Sequence, residues 1–337
     1  MRLPVLCLFL CFFATPLAAQ IWRVDAMPNR EADFAQISDA LADASVRPGD
    51  TLYVAGSSVA YAGFRLTKRV VIIGPGYMLD ENPGLQASVL QATISGAVEV
   101  DAGADGAVLE GLSFESRVRV EEAFDVVFRR CRVVARSVNI PLFTVQSGRV
   151  TIAQSYIANL GIRDNGAGLA INPGAEARVA NSYLLGNGGT SAGIGNGLHA
   201  EGQTEVDHVI VQEGVRCSNC VITNSIFDTT DQSFQNSDIT YSIFQATAPE
   251  GEGNRGGVST GGLFLGTGSA DGRWQLAVGS QARGAGKFGV DAGMFGGSEP
   301  YVLSGIPAIP TIYEFTAPTS ASQDDGLRIQ LKARANN

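Results

Sequence analysis

One short phrase returns along this chain and restricts what it can fold into. It reads Asn181-Ser182-Tyr183-Leu184, Asn224-Ser225-Ile226-Phe227 and Tyr241-Ser242-Ile243-Phe244, with Gln154-Ser155-Tyr156-Ile157 as a looser copy. Two earlier segments fit the same frame: Val126-Val127-Phe128 into Arg130-Cys131-Arg132-Val133, and Val108-Leu109-Glu110 into Leu112-Ser113-Phe114. With Ser113, Cys131, Ser155, Ser182, Ser225 and Ser242 as one position, the steps are 18, 24, 27, 43 and 17 residues. The step of 43 spans two coils, the unmarked one falling near Val209-Ile210-Val211. Short strands recurring at such a period, with no helix between them, predict a solenoid whose rungs cannot bury their apolar sides alone.

Apolar and polar residues alternate at period two within each copy, so the rungs are β-strands. Aligned, the copies form columns. Ala107, Val126, Ala177, Cys220 and Ser237 share one, and Leu109, Phe128, Ile152, Val179, Ile222 and Ile239 the next. Phe114, Val133, Ile157, Leu184, Phe227 and Phe244 make a third. Stacked parallel strands need such columns, because each side chain packs on its counterpart one rung away. Helical solenoids need longer repeats with a 3.6-residue period, and leucine-rich repeats need several leucines per rung. A β-sandwich would not produce like residues in one recurring column.

The 337 residues are 45% apolar and 17% charged, enough for a large core. The 41 glycines and 13 prolines suit a fold of many tight turns. Residues 1–19 read as a secretory signal: Arg2, an apolar run from Leu3 to Ala14, then Pro16-Leu17-Ala18-Ala19. Secretion or display at the cell surface follows, and no later segment is apolar and long enough to span a bilayer. Without the signal, 23 basic residues face 33 acidic ones, a net charge of −10. That argues against nucleic acid and anionic lipid as partners. Cys217 and Cys220 leave two readings open, plain packing of a small inward residue or a short disulfide.

Phe34, Ile37, Leu41 and Ala44 predict a helix over residues 30–45, with Asp33 as N-cap and Pro48-Gly49-Asp50 as the turn after it. Phe34-Ala35-Gln36-Ile37-Ser38-Asp39-Ala40-Leu41, Arg47-Pro48-Gly49-Asp50-Thr51-Leu52-Tyr53-Val54, Tyr61 and Val71-Ile72-Ile73-Gly74 together resemble the N-terminal cap and first rungs of the pectate-lyase-like right-handed parallel β-helix superfamily. Trp274-Gln275-Leu276, Ala282-Arg283-Gly284-Ala285-Gly286 and Val290–Gly297 resemble the closing segment of secreted bacterial β-helix proteins. The resemblance covers roughly residues 33–300 and implies an all-β, single-stranded right-handed parallel β-helix of about eight to ten rungs. The expected layout is a cap over residues 20–60, the solenoid over 61–300 and a tail over 301–337. In the tail, Thr311–Thr316 and Leu327–Lys332 alternate and are expected to pair as a hairpin along the last rung. The superfamily includes lyases, hydrolases, epimerases and adhesins, so the fold does not name the activity.

Two adjacent rungs carry long loops, residues 159–167 with Arg163-Asp164-Asn165, and residues 186–196. Each leads into a similar strand, Gly168-Leu169-Ala170-Ile171-Asn172 and Gly197-Leu198-His199-Ala200-Glu201. Leu169, Ile171, Leu198 and Ala200 should face inward, and Ala170, Asn172, His199 and Glu201 outward. The loops would wall a groove of the kind in which β-helix enzymes of the resembled superfamily hold an extended sugar chain. His199 and Glu201, on one face about 7 Å apart, are candidates for acid and base. Arg163 would meet a substrate carboxylate, and Asp164, Asn165, Asn172 and Gln146 would bind substrate. Asp164 is also a candidate Ca²⁺ ligand, though no metal site is complete. The Gly-His-Gly turn and aspartate cluster of polygalacturonase-like hydrolases are missing, as is the multi-carboxylate Ca²⁺ site of pectate lyases. The reading is a monomeric binder of extracellular or cell-envelope polysaccharide. A lyase or hydrolase of acidic polysaccharide and a structural or adhesive module are the alternatives.

Overall fold

In the computed structural model, the recurring phrase becomes the stacking corner of three parallel sheets. The structure describes residues 19–136, 140–161, 166–188, 195–320 and 326–336. Ten strands form sheet A, and eight each form sheets B and C, every one pairing with its counterpart one coil away. This sequential order is the architecture of the right-handed parallel β-helix superfamily. The chain visits C, A and B in turn, as in Phe143–Val145, Gly148–Ala153 and Tyr156–Asn159.

The columns read from the sequence are the observed registers. Leu109, Phe128, Ile152, Val179, Val206, Ile222 and Ile239 stack in sheet A, and Phe114, Val133, Ile157, Leu184, Val211, Phe227 and Phe244 in sheet B. Val206 and Val211 belong to the unmarked coil, whose corner is His208-Val209 in place of Asn-Ser. Stacked rings reinforce the ladder, with Phe227 and Phe244 centroids 4.9 Å apart.

The phrase itself is a corner device. The corner residue takes a left-handed backbone in seven successive coils: φ is 66° at Gly111, 52° at Arg130, 51° at Gln154, 46° at Asn181, 54° at His208, 53° at Asn224 and 51° at Tyr241. The register sets Leu112 rather than Ser113 opposite Cys131, so the first copy of the phrase is one residue out of the expected frame. Asparagine and histidine tolerate this region, and arginine, glutamine and tyrosine do so less readily. In four coils the second residue of the phrase is a serine, Ser155, Ser182, Ser225 or Ser242, whose hydroxyl crosses to the previous coil. Ser182 Oγ accepts the Ser155 N–H at 3.1 Å, and Ser242 Oγ accepts the Ser225 N–H at 3.2 Å. Each hydroxyl also donates to a carbonyl two residues back in its own coil, as Ser182 does to Ala180 at 2.7 Å.

The cap helix is shorter than the periodicity suggests, Ile37–Ala42, and Gln36 rather than Asp33 precedes it. Phe34 instead makes a parallel bridge to Val24 and packs its ring on Trp22 at 5.7 Å. The Asp33 carboxylate accepts the Arg23 N–H at 2.7 Å. Ile37, Ala40 and Leu41 close the open end of the core.

The last parallel strand is Ile243–Phe244. Beyond it the chain lays a second layer on the outer face of sheet B. Leu263, Leu276, Ala282, Ala292 and Met294 bury Tyr156, Tyr183, Ile210, Ile226 and Ile243. A strap over residues 286–308 then runs back along the corners. Lys287 N–H donates to Asn224 Oδ1 at 2.7 Å, and Asn181 Nδ2 donates to the Gly296 carbonyl at 2.8 Å. Gln154 Nε2 reaches the Pro300 carbonyl at 2.7 Å, and Arg130 Nη1 the Ile306 carbonyl at 2.8 Å. The tail hairpin exists, Thr311–Thr316 with Gln330–Arg334 antiparallel. It does not lie along the last rung, because the strap has carried it to the other end. There Ala87 N–H donates to the Ile312 carbonyl at 2.8 Å, and Arg334 Nη2 to the Leu85 carbonyl at 3.0 Å.

Candidate functional site

The outer face of sheet C is built by the pleat of its strands. In Leu198–Ala200, Leu198 and Ala200 are buried and His199 points outward with 28% of its side chain exposed. Leu169 and Ile171 are buried in the same columns one coil earlier. The register is therefore the one expected from the sequence. His199 stands in line with Thr144 and Ala170 before it and Arg216 after it.

The residue after each inward position forms a second outward column. Glu121, Gln146, Asn172 and Glu201 donate their backbone N–H groups to Val100, Val120, Val145 and Ile171 carbonyls at 2.8 to 3.0 Å, which stacks the four in successive coils. Asn172 Nδ2 donates to Gln146 Oε1 at 3.0 Å, so two of the expected binding residues touch. His199 Nε2 lies 3.7 Å from Glu201 Oε1, ion-pair range when the imidazole is protonated but long for a hydrogen bond. Arg119 pairs with Glu121 at 2.8 Å and Arg216 with Asp231 at 2.5 Å, leaving a lane of paired charges and amides. Arg163, Asp164 and Asn165 lie outside the described residues. Among the described residues no group of three or more His, Cys, Asp or Glu is arranged to hold a metal ion.

A second depression, which sequence reasoning missed, lies on the outer face of sheet A. It has a volume of about 740 Å³ and is lined by Arg149, Glu176, Arg178, Glu205, Asn219 and Asp238 among others. Register places Arg149, Glu176 and Gln203 in one column, and Thr151, Arg178, Glu205, Val221 and Asp238 in the next. The available signal was the strict alternation of Arg149-Val150-Thr151-Ile152, Glu176-Ala177-Arg178-Val179 and Gln203-Thr204-Glu205-Val206, which puts charges on the solvent face. Arg149 bridges Asp125 at 2.6 Å and Glu176 at 3.4 Å, holding the Asp125 carboxyl below its usual range.

Two corners bear on this region. Cys217 and Cys220 form a disulfide across the C-to-A turn, settling the two open readings in favour of the bond. Both are buried, and Cys220 stacks on Thr204 in the inward column. At the A-to-B turn, His208 is buried with Nδ1 2.8 Å from Asp207 Oδ1. Burial opposes ionisation of Asp207, but hydrogen bonds from His208, Asn224 and Thr223 outweigh it and hold its pKa at about 2.

The chain matches no protein-family model, no curated protein and no solved structure.

Proposed function

We propose that the protein is exported and binds an extracellular or cell-envelope polysaccharide along the outer face of sheet C. The observation that carries this reading is the column Glu121, Gln146, Asn172 and Glu201, one planar polar group per coil. Rungs stack at about 4.8 Å, so a chain-like ligand lying across them meets a hydrogen-bonding group at every step. Carboxylates and amides suit the paired hydroxyls of a sugar ring, accepting or donating two bonds in one plane. The adjoining column, with Thr144, His199 and Arg216, widens the lane. The signal-like residues 1–19 and the −10 charge of the remainder fit an exported protein that avoids nucleic acid.

Binding without turnover fits the carboxylates better than catalysis does. Glu121, the next carboxylate in the Glu201 column, stands three coils from it, about 14 Å at the strand spacing. The closer pair in that column, Asp101 and Glu121, is engaged by Arg65 and Arg119. Glycoside hydrolysis needs two carboxyls roughly 5 to 10 Å apart. Among the described residues, His199 beside Glu201 is the feature that favours a lyase or hydrolase. A screen of neutral and uronic-acid polysaccharides decides between them. Retention on immobilised glycan without new ultraviolet absorbance or reducing ends supports binding. Product formation lost in His199→Ala supports catalysis, and neither result leaves a structural or adhesive module.

A further inference from the structure

We propose that the cleft on the outer face of sheet A is a second ligand site, distinct from the sheet C lane, and that it takes an amine-bearing oligosaccharide. The floor is built by five consecutive strands, Gly148–Ala153, Glu176–Ala180, Gln203–Asp207, Cys220–Thr223 and Asp238–Thr240. Four steps between them span about 19 Å, the reach of an oligomer rather than a single small molecule.

The charges choose the ligand. Both guanidiniums of the cleft are already engaged, Arg149 by Asp125 and Glu176, and Arg178 by Glu205 at 3.3 Å. The cleft holds four carboxylates, Asp125, Glu176, Glu205 and Asp238, against those two cations. The Asp238 carboxylate takes no part in any ion pair or hydrogen bond among the described residues, nor do the side chains of Gln203, Asn219 and Asn236. The groups left to meet a ligand are thus one carboxylate and three amides. An anionic chain, whether a polyuronate or a nucleic acid, would have to displace carboxylates from both arginines against a net negative wall. A cationic chain meets no such competition.

The floor also argues against a peptide. Peptides that bind sheets add to an open edge and use its unpaired backbone groups. Here all but the last of the five strands are paired on both sides, so the cleft presents only side chains. Amides that donate and accept in one plane, beside a free carboxylate, match a chain of hydroxyls carrying amines.

The test is calorimetric titration of the full chain with glucosamine, N-acetylglucosamine and galacturonate oligomers of equal length. The glucosamine oligomer is expected to bind most tightly and to weaken as salt rises. Asp238→Asn should lower its affinity roughly tenfold, the worth of one charge-assisted hydrogen bond, and leave the N-acetylated oligomer unaffected. Val221 is half exposed between Glu205 and Asp238 in the column, so Val221→Arg should place a guanidinium there and abolish binding. Carboxyl labelling with and without glucosamine oligomer should protect Glu205 and Asp238. Protection of Glu121 and Glu201 instead would place the ligand on sheet C and overturn the proposal. So would preference for galacturonate, no binding by any oligomer, or indifference to both substitutions.

Discussion

The Ser155 backbone N–H is satisfied by the Ser182 hydroxyl, 3.1 Å away in the next coil, and both residues are fully buried. Where the strand leaves sheet A for sheet B, the ladder of backbone hydrogen bonds is interrupted, and serine supplies the missing acceptor. That is why serine recurs after the corner residue, and why its pattern, rather than leucine spacing, marks the coils.

Ser182→Ala removes this acceptor and leaves a buried N–H without a partner. A cost of about 1 to 3 kcal/mol is expected. Urea denaturation monitored by circular dichroism should show the midpoint fall with the slope unchanged.

Asn181 has φ of 46° and donates to both the Met294 and Gly296 carbonyls of the strap. Asn181→Gly keeps the backbone and loses the two bonds. Asn181→Ala loses the bonds and adds about 1 to 2 kcal/mol of left-handed strain. The alanine variant should therefore unfold at lower urea than the glycine variant, an order opposite to that in a strand interior.

Asp207 gives the fold a pH dependence. Its folded pKa of about 2 lies below the ordinary 3.8, so its contribution is fully present above about pH 4 and is lost as pH falls toward 2. Allowing for partial exposure, that contribution is about 1 to 2 kcal/mol. The stability gap between wild type and Asp207→Asn should be constant at pH 5 to 6 and close below pH 4, measured by denaturant titration at each pH.

The Cys217–Cys220 bond closes a loop of only three residues' separation. Chain-entropy arithmetic gives such a loop about 2 kcal/mol. Cys217→Ser with Cys220→Ser should lower stability by that amount while far-ultraviolet circular dichroism stays that of a β-helix. Loss of the β signal would mean that the bond organises the corner instead of trimming its unfolded state.

Much of this fold can be read before any coordinates, because period two and period one coil are both local. Ile152, Val179 and Ile222 announce their column directly. The His208-Val209 coil carries no serine, yet its place is legible from the doubled step. The strap is not legible, since Gly296 meets Asn181 115 residues earlier through its carbonyl, which no side-chain pattern reports. A clue to a covering layer was present nonetheless. Tyr183-Leu184 and Ile226-Phe227 are apolar on both faces, as strands buried on both sides must be. The helix is shorter than its spacing suggests because Phe34 fits a helical period while its ring packs on Trp22. On the functional side, outward placement of His199 and Glu201 followed from alternation, whereas the sheet A cleft depends on how five separate coils line up.

The most direct test of the sheet C lane is a polysaccharide titration of wild type against the double variant His199→Ala, Glu201→Gln, with thermal unfolding measured on the same samples. Both residues are outward and partly exposed, so stability should shift by less than about 0.5 kcal/mol. Binding should weaken by about 1 to 3 kcal/mol as hydrogen bonds to charged groups are lost. Unchanged affinity with unchanged stability would contradict the account, and a large fall in melting temperature would make these two residues structural.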